Sequence, residues 1–251
     1  MKFSTLPNNV QHIIRCYEQA YTVENQHGIK WYSNAYEIAS KLSEKHSIDI
    51  NQVVGVIAAL SPNNEWKRNC IDAENMITVY DLCNRRELND KAIREHLESL
   101  KVCTFNANKY KAIEILMLKS KTNKANKVRK ILFGRSGYKV VEFMNSILGV
   151  DDCCIDGHAY SIWLGERVPT TKTPPLGKKL RESIKADYRL AKQYINYDLG
   201  TKYKVSEIQD YSFLFHALIV LLSYLVRLDL RSRRYALLAY FSEGLRSQNN
   251  S

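Results

Sequence analysis

Apolar residues recur at intervals of three and four along most of the chain, the spacing that places them on one face of an α-helix. The pattern predicts helices in these segments: 10–21, 33–45, 52–60, 69–83, 109–118, 139–148, 157–164, 187–195 and 211–226. The alternation typical of β-hairpins is missing, and the Asp-Gly pair at 156–157 leads into a helical pattern instead of a hairpin turn. We therefore predict an all-α protein of about nine or ten helices.

Breaks in the pattern indicate how the chain is organised. They fall at residues 61–64, 119–130, 134–137, 149 and 169–177. Residues 119–130 are rich in lysine, which favours a solvated and partly flexible loop. Proline and glycine concentrate in the segment that we predict to be a linker, residues 169–178. We expect a single two-lobed helical domain over residues 1–251, with its core at residues 50–168 and a divergent C-terminal tail at residues 205–251.

The tail contains the most apolar segment of the chain. Residues 211–226 read YSFLFHALIVLLSYLV and are followed by four arginines within eight residues. The run is shorter than the roughly 20 residues that a membrane span requires, and it contains His216. We favour a buried core helix, and a membrane-anchored tail stays as the alternative.

The chain is basic, and its positive charge is concentrated in one segment. The formal net charge is +11 over 251 residues. Residues 101–139 alone hold eleven lysines and arginines against one acid, Glu114, and therefore carry a charge of +10. Such a balance favours nucleic acid or an acidic membrane surface as the partner.

The cysteines argue against a structural metal site. They lie at positions 16, 70, 83, 103, 153 and 154, without a Cys-x-x-Cys pair or a paired histidine spacing. Zinc ribbons and iron–sulfur clusters are therefore not expected, and we predict no metal and no cofactor. The N-terminal residues MKFSTLPNNVQ lack the apolar stretch of a secretory signal. We expect a cytoplasmic protein with free thiols, in a bacterial or phage-infected host cell.

Two glycines, Gly134 and Gly137, bracket a tight bend directly before a predicted helix. Free backbone N–H groups at a helix start, joined to a glycine turn, can hold an anion such as a phosphate. Arg135 and Lys139 add positive charge to the same bend. An ordinary connector between two helices uses the same glycines, and on spacing alone we favour that interpretation.

Asp156 opens the next helical pattern, 17 positions after Lys139. Aspartate is common at this position as a helix N-cap, and a capping carboxylate can also be a catalytic one. The helix dipole and backbone N–H groups favour its ionised form. A helix of about ten residues and a returning loop can bring the Lys139 amine close to this carboxylate.

The order of these segments resembles the helix-hairpin-helix DNA glycosylase superfamily, which has the endonuclease III-like (HhH-GPD) fold. That family carries a hairpin of the form L-x-G-x-G-x-K and then V-D-x-H at the start of a helix. Residues 132–139, LFGRSGYK, resemble the hairpin with one extra residue between the glycines, and residues 155–158, IDGH, resemble the aspartate motif. Residues 56–64 resemble the family's early helix and the loop that fills the gap left by a flipped base. Residues 108–113 resemble a further block in which Lys111 and Ala112 match. The amino-acid sequence of these segments is similar to that of uncharacterised phage-type members.

The resemblance implies a glycosylase core at residues 50–168, with the helix-hairpin-helix at about 128–148. It implies Lys139 as nucleophile and Asp156 as the essential carboxylate of an enzyme that acts on double-stranded DNA. The residues implied to contact DNA are Gly134, Arg135, Ser136, Gly137, Lys109, Lys111, Asn63 and Asn64, and those implied to line the base pocket are Tyr138, His158 and Tyr160. The C-terminal cysteine cluster of some members is absent, so no iron–sulfur cluster is implied.

We therefore expect a monomeric DNA N-glycosylase of base excision repair that flips a damaged or modified base. AP-lyase activity through a lysine Schiff base is a further possibility. One alternative is a transferase that builds hypermodified bases in phage DNA on the same fold. Others are a non-catalytic DNA-binding protein and a protein tethered to a membrane by residues 211–226.

Overall fold

The structure is a computed structural model that describes residues 2–23, 30–120, 122–134 and 137–210. Every regular element within these ranges is a helix, which confirms the all-α prediction for this part of the chain. The α-helices are α1 (Asn8–Val23), α2 (Trp31–His46), α3 (Ile50–Leu60), α4 (Trp66–Arg85), α5 (Asp90–Ser99), α6 (Asn106–Leu116), α7 (Lys124–Phe133), α8 (Tyr138–Ile147), α9 (Gly157–Leu164) and α10 (Lys178–Leu199). Short 3₁₀ helices lie at Phe3–Thr5 and Thr170–Lys172, and residues 205–210 are helical.

Helix α3 is the centre of the larger apolar cluster, which is built from α2 to α8. Its sequence, INQVVGVIAAL, is apolar on every face, and all residues from Gln52 to Leu60 are buried. Five helices (α2, α4, α6, α7 and α8) contact it. Gly55 permits the close approach of α7, because a Cβ atom at this position would lie 2.4 Å from Cγ1 of Val128. A helix that is apolar all round is stable only when neighbours surround it in this way.

A second apolar cluster joins the two ends of the described chain. It contains buried residues of α1, of the segment that leads into α9, of α10 and of residues 205–208. Tyr17 and Tyr188 are its largest fully buried side chains. Helix α1 packs against α9 and α10, so the first and last helices lie beside the one that Asp156 opens. Lys139 lies at the start of α8, a helix that contributes to the larger cluster. Asp156 lies at the start of α9, a helix that contributes to the smaller cluster.

A polar clamp joins the end of α2 to α4. The His46 ring lies 2.8 Å from Asp81, whose carboxylate also accepts a hydrogen bond from Arg85 at 3.0 Å. The Arg85 hydrogen bond holds the pKa of Asp81 below its usual value; desolvation opposes this shift, and the His46 contact adds to it. The clamp therefore stabilises the fold through an ionised carboxylate.

The structure corrects the sequence interpretation at three helices. Residues 124–133, most of which fell in or next to the predicted lysine-rich loop, form α7, and α5 had no predicted counterpart. Val128 and Leu132 are the buried residues of α7, which also carries four lysine and arginine side chains. An apolar face of so few residues is easily hidden among lysines whose alkyl stems lie along the surface. Helix α10 also begins at Lys178, ahead of the predicted 187–195, because its first turns are polar.

None of the helices in the described ranges is long and apolar enough to cross a bilayer. The apolar segment at residues 211–226, on which the prediction of a core helix or a membrane tail rested, lies outside the described residues, as does most of the predicted tail.

Candidate active site

A glycine turn joins α7 to α8. Helix α7 ends at Phe133, and Gly134 follows with φ of 47°, a conformation that favours glycine. The Gly137 N–H donates to the Phe133 carbonyl at 2.6 Å. A Cβ atom at Gly137 would lie 2.3 Å from the Leu132 carbonyl oxygen, so no larger residue fits there without a shift of backbone. Arg135 and Ser136, predicted to contact DNA, lie outside the described residues.

The first turn of α8 has no side-chain cap. The first N–H groups of an α-helix have no partner within the helix, and the N-cap residue here, Gly137, has no side chain that could accept from them. Lys139 is the second residue of this helix, and its side chain is 59% exposed. The start of α8 thus combines the amides of a first helical turn with an accessible amine.

Asp156 caps the N-terminus of α9. One carboxylate oxygen, Oδ1, accepts from the backbone N–H groups of His158 and Ala159, each at 3.0 Å. The other oxygen, Oδ2, lies 3.7 Å from the Nζ atom of Lys139. The Asp156 side chain is 24% exposed, so the pair is open to solvent from one side. The structure thus brings the predicted amine and carboxylate together.

Two contacts fix this spacing. The Cys154 thiol donates to the Lys139 carbonyl at 3.4 Å, and the Ile155 N–H donates to Oε2 of Glu142 at 3.0 Å. Glu142 lies three residues after Lys139 on α8, while Ile155 directly precedes Asp156. The residues just before the carboxylate are therefore bonded to the helix that holds the amine.

Glu142 is the centre of a buried ionic network that the sequence interpretation did not foresee. Its carboxylate contacts the Arg181 guanidinium and lies 3.0 Å from the Lys185 ammonium, which in turn lies 2.8 Å from Asp152. Burial raises the pKa of Glu142, and the two cations oppose that shift. Burial alone would lower the pKa of Lys185, but its hydrogen bond with Asp152 and the charge of Glu142 raise it. The sequence did contain one signal of this network: Glu142 is an acidic residue within the apolar pattern of residues 139–148.

Lys111 and Lys109, both predicted to contact DNA, have different surroundings. The Lys111 ammonium donates to the Leu132 carbonyl at 2.9 Å and lies beside Gly134, at the glycine turn. The Lys109 ammonium is directed inward, where it donates to the carbonyls of Glu98 and Leu100 at the end of α5. Its side chain is buried, so Lys109 does not present its charge at the surface and we remove it from the DNA-contacting set.

Asn63 and Asn64 also differ from each other. Asn63 is exposed and adopts a positive φ of 55° in the loop between α3 and α4. The Asn64 amide donates inward to the Leu60 carbonyl at 3.3 Å and to the carboxylate of Asp72 at 3.1 Å. Of the two asparagines, Asn63 is the one positioned to reach a partner, and Asn64 fixes the loop.

A family model described as a family of unknown function, DUF7178, matches residues 2–205. The chain belongs to this family. No curated protein and no solved structure matches it. What can be said of function in this DUF7178 protein therefore rests on its own residues and their arrangement.

Several aromatic side chains of the DUF7178 chain lie on the helices that carry Lys139 and Asp156 or contact those helices. Of the predicted pocket residues, Tyr138 packs edge-on against Phe133, Tyr160 packs against Trp163, and His158 is an exposed residue in the first turn of α9. A larger group had not been assigned to the pocket. Its ring centroids lie 4.8 to 6.5 Å apart, and its members are Trp31, Trp66 and Phe143. Phe143 lies one helical turn after Lys139, so this aromatic group adjoins the site.

The positive segment 101–139 is partly neutralised within the fold. Lys119, Lys124 and Arg129 each bond to an acidic or amide side chain. Lys101 and Lys130 are exposed and make no ion pair within the described part of the chain. In that same part, no group of three or more histidine, cysteine or acidic side chains could hold a metal ion. The site itself offers an amine, a carboxylate and the backbone amides of two helix starts.

Proposed function

We propose that the protein is a DNA glycosylase-like enzyme that cleaves the N-glycosidic bond of a base extruded from duplex DNA. The observation that carries the proposal is the Lys139–Asp156 pair, with 3.7 Å between Nζ and Oδ2, at the adjacent starts of two helices. Under this proposal α7, the glycine turn and α8 form the helix-hairpin-helix, and the two apolar clusters are the cores of two lobes with the site between them.

Asp156 acts electrostatically in the proposed reaction. As the bond between sugar and base breaks, positive charge develops at C1′ of the sugar, and a fixed carboxylate stabilises it. The two backbone N–H groups on Oδ1 hold the side chain in place before the substrate arrives. The second oxygen, Oδ2, then faces the reacting sugar as well as Lys139.

Lys139 supplies the nucleophile in one version of the reaction. Its amine, after losing a proton, bonds to C1′ while the base departs with the electrons of the broken bond and takes up a proton. The sugar ring then opens: the C1′–O4′ bond breaks, O4′ takes up a proton, and the nitrogen forms a Schiff base with C1′. Loss of a proton from C2′ expels the 3′-phosphate by β-elimination, which cleaves the strand. In the other version water attacks C1′, and Lys139 serves to bind the nearby phosphate. The helix start at α8, with its positive dipole end, and the Lys111 ammonium support a phosphate contact beside the turn.

The proposal is tested by incubating the purified protein with duplex oligonucleotides that carry varied damaged or modified bases, followed by alkali cleavage. Asp156→Asn should reduce base release at least about 100-fold, because the charge is lost while the N-cap is kept. Asp49 caps α3 in the same manner, with its side chain accepting from the Asn51 N–H, so Asp49→Asn is the matched control. If wild type releases a base from one of these substrates and Asp156→Asn releases it equally fast, the role of this carboxylate is refuted.

Borohydride trapping on abasic DNA separates the two versions. A covalent adduct that disappears in Lys139→Gln and persists in Lys179→Gln supports the lyase, since Lys179 is likewise an exposed second residue of a helix, α10. Base release without an adduct supports attack by water.

Mass spectrometry of the nucleosides tests the alternative reaction: free base supports a glycosylase, and an enlarged nucleoside supports a transferase. If the protein binds DNA and changes none of the substrates chemically, the result supports the alternative of a non-catalytic DNA-binding protein.

A further inference from the structure

The segment that leads into Asp156 is buried without belonging to a helix. Residues 152–155 lie outside the regular elements, and Cys153, Cys154 and Ile155 are each at most 5% exposed. Buried backbone N–H groups require hydrogen-bond partners. The N–H groups of these three residues each donate to a side-chain oxygen, and the acceptors are, in order, Asp152, Gln209 and Glu142.

Gln209 differs from the other two acceptors because it bonds both backbone groups of one residue. Its Oε1 atom accepts from the Cys154 N–H at 2.9 Å, and its amide nitrogen donates to the Cys154 carbonyl. A carboxamide can do both, whereas an ionised carboxylate can only accept. The buried Gln209 side chain therefore pairs with Cys154 as a residue of a neighbouring β-strand would.

The helical segment 205–210, which carries this carboxamide, is itself attached at both ends. The Val205 N–H donates to Asp151 at 3.0 Å, and Val205 is fully buried in the second apolar cluster. The Asp210 carboxylate accepts from the backbone N–H of Tyr32, at the start of α2. The carboxamide is thus held in place by contacts outside α8 and α9, the two helices whose starts form the candidate site.

Cys154 transmits this position to both groups of the site. Its thiol donates to the Lys139 carbonyl at 3.4 Å, and it lies two residues before Asp156. A shift of the Cys154 backbone would therefore change the contact with α8 and the place of the carboxylate together. A displacement of about 1 Å between reacting groups can slow a reaction about 100-fold.

We propose that Gln209 is a positioning residue of the candidate active site, and that its carboxamide sets the distance between the Lys139 amine and the Asp156 carboxylate. The inference rests on the proposed function for the reaction that this distance serves. Gln209 is uncharged and its two hydrogen bonds go to backbone atoms, so replacing it changes the geometry of the site and leaves the charge of the Glu142 network intact.

The test measures the distance chemically in the full chain. A carbodiimide joins an amine and a carboxylate in contact with each other as an amide, with loss of water. The Lys139–Asp156 crosslink is quantified by peptide mass spectrometry relative to the Lys45–Glu74 crosslink, whose partners lie 2.9 Å apart. Gln209→Met keeps the length of the side chain and removes both hydrogen bonds, so it should lower this ratio about tenfold.

Gln52→Met is the matched control. Gln52 is also buried, and its amide donates to backbone carbonyls at the end of α6. The substitution removes a comparable set of hydrogen bonds and should leave the crosslink ratio unchanged. An equal decrease of the ratio in both variants would overturn the inference, because it would reflect a general loosening of the fold.

Gln209→Glu restores the bonds at low pH. A protonated carboxyl group can accept from the Cys154 N–H and donate to the Cys154 carbonyl, as the carboxamide does. Relative to wild type at the same pH, the crosslink ratio should be low at about pH 8 and recover at about pH 5, because burial raises the pKa of a carboxyl group. If Gln209→Met does not fold, this variant decides, and a ratio independent of pH would overturn the inference.

The outcomes separate this inference from the proposed function. An unchanged ratio in folded Gln209→Met would overturn it, even if wild type releases bases. Absence of the Lys139–Asp156 crosslink in wild type, beside a normal Lys45–Glu74 crosslink, would overturn it as well. A lowered ratio with an unaffected Gln52→Met supports it, even if wild type acts on no substrate. Where wild type releases a base, the rate per folded Gln209→Met molecule at saturating DNA should also fall, and an unchanged rate would overturn the role of Gln209 in the reaction.

Discussion

Glu142→Gln tests the buried ionic network. The substitution keeps the size of the side chain and one oxygen for the Ile155 N–H, but it removes the negative charge that faces Arg181 and Lys185. Among the residues that the structure describes, Asp152 is then the one acid left to balance two buried cations. Removing one partner of a buried pair typically destabilises a protein by about 3–5 kcal/mol. That is a large part of the total stability of a domain, about 5–15 kcal/mol.

In a protein of this size, each 1 kcal/mol lowers the melting temperature by about 2–4 °C, so we expect a decrease of about 6–20 °C for Glu142→Gln. Thermal unfolding followed by circular dichroism measures it, with urea unfolding as a second measure. Glu74→Gln is the matched control, because Glu74 lies 2.9 Å from Lys45 in an ion pair whose side chains are about half exposed. Pairs of that kind contribute less than about 1 kcal/mol.

A melting temperature for Glu142→Gln within the range of Glu74→Gln would refute the reasoning, because it would show that the two buried cations do not depend on Glu142. A lowered melting temperature with unchanged spectra of the folded protein would support it. Base release by the folded variant at low temperature then reports the positioning of Asp156 separately from stability.

Three further outcomes are expected. Gly137→Ala should lower the free energy of unfolding by about 1–3 kcal/mol, because the new Cβ meets two backbone carbonyls. Gly177→Ala should not lower it, because the space around Gly177 is open. Urea unfolding compares the two variants, and equal stabilities would contradict the steric argument. The stability difference between wild type and Asp81→Asn should be present above about pH 4 and shrink as the pH falls further, because the folded-state pKa of Asp81 is lowered and protonated aspartate resembles asparagine. Melting temperatures measured over a pH series test this expectation. A stability difference that persists at about pH 2 would contradict it. Iodoacetamide should label the exposed Cys103 well before Cys154, because burial and then the Asp156 charge raise the pKa of the Cys154 thiol; peptide mass spectrometry gives the order, and early labelling of Cys154 in folded protein would be inconsistent with it.

Local patterns predicted most of the fold. Helices α2 and α3 lie within a few residues of their predicted segments because each has a continuous apolar face and a clear boundary. Helix α7 was missed because its core contacts depend on Val128 and Leu132 within a lysine-rich segment. Its stability comes from packing against α3, which no local pattern contains.

The site was predictable in part for the same reason. The Lys139–Asp156 contact follows from a helix and a returning loop, both of which have local signals. The Glu142 network does not, since its cations lie on α10, and chain order does not say which helices become neighbours. Side-chain direction was equally hidden: Lys109 and Lys111 are two residues apart on α6, yet one ammonium is buried and the other lies at the glycine turn.

Asp156 both begins a helix and carries the charge required by the proposed chemistry. Asparagine caps helices about as well as aspartate. A single-nucleotide change in the codon therefore replaces the carboxylate by an amide and leaves α9 capped. Under the proposed function, a chain with asparagine at this position would keep its fold and lose its activity, one genetic step away from an active one.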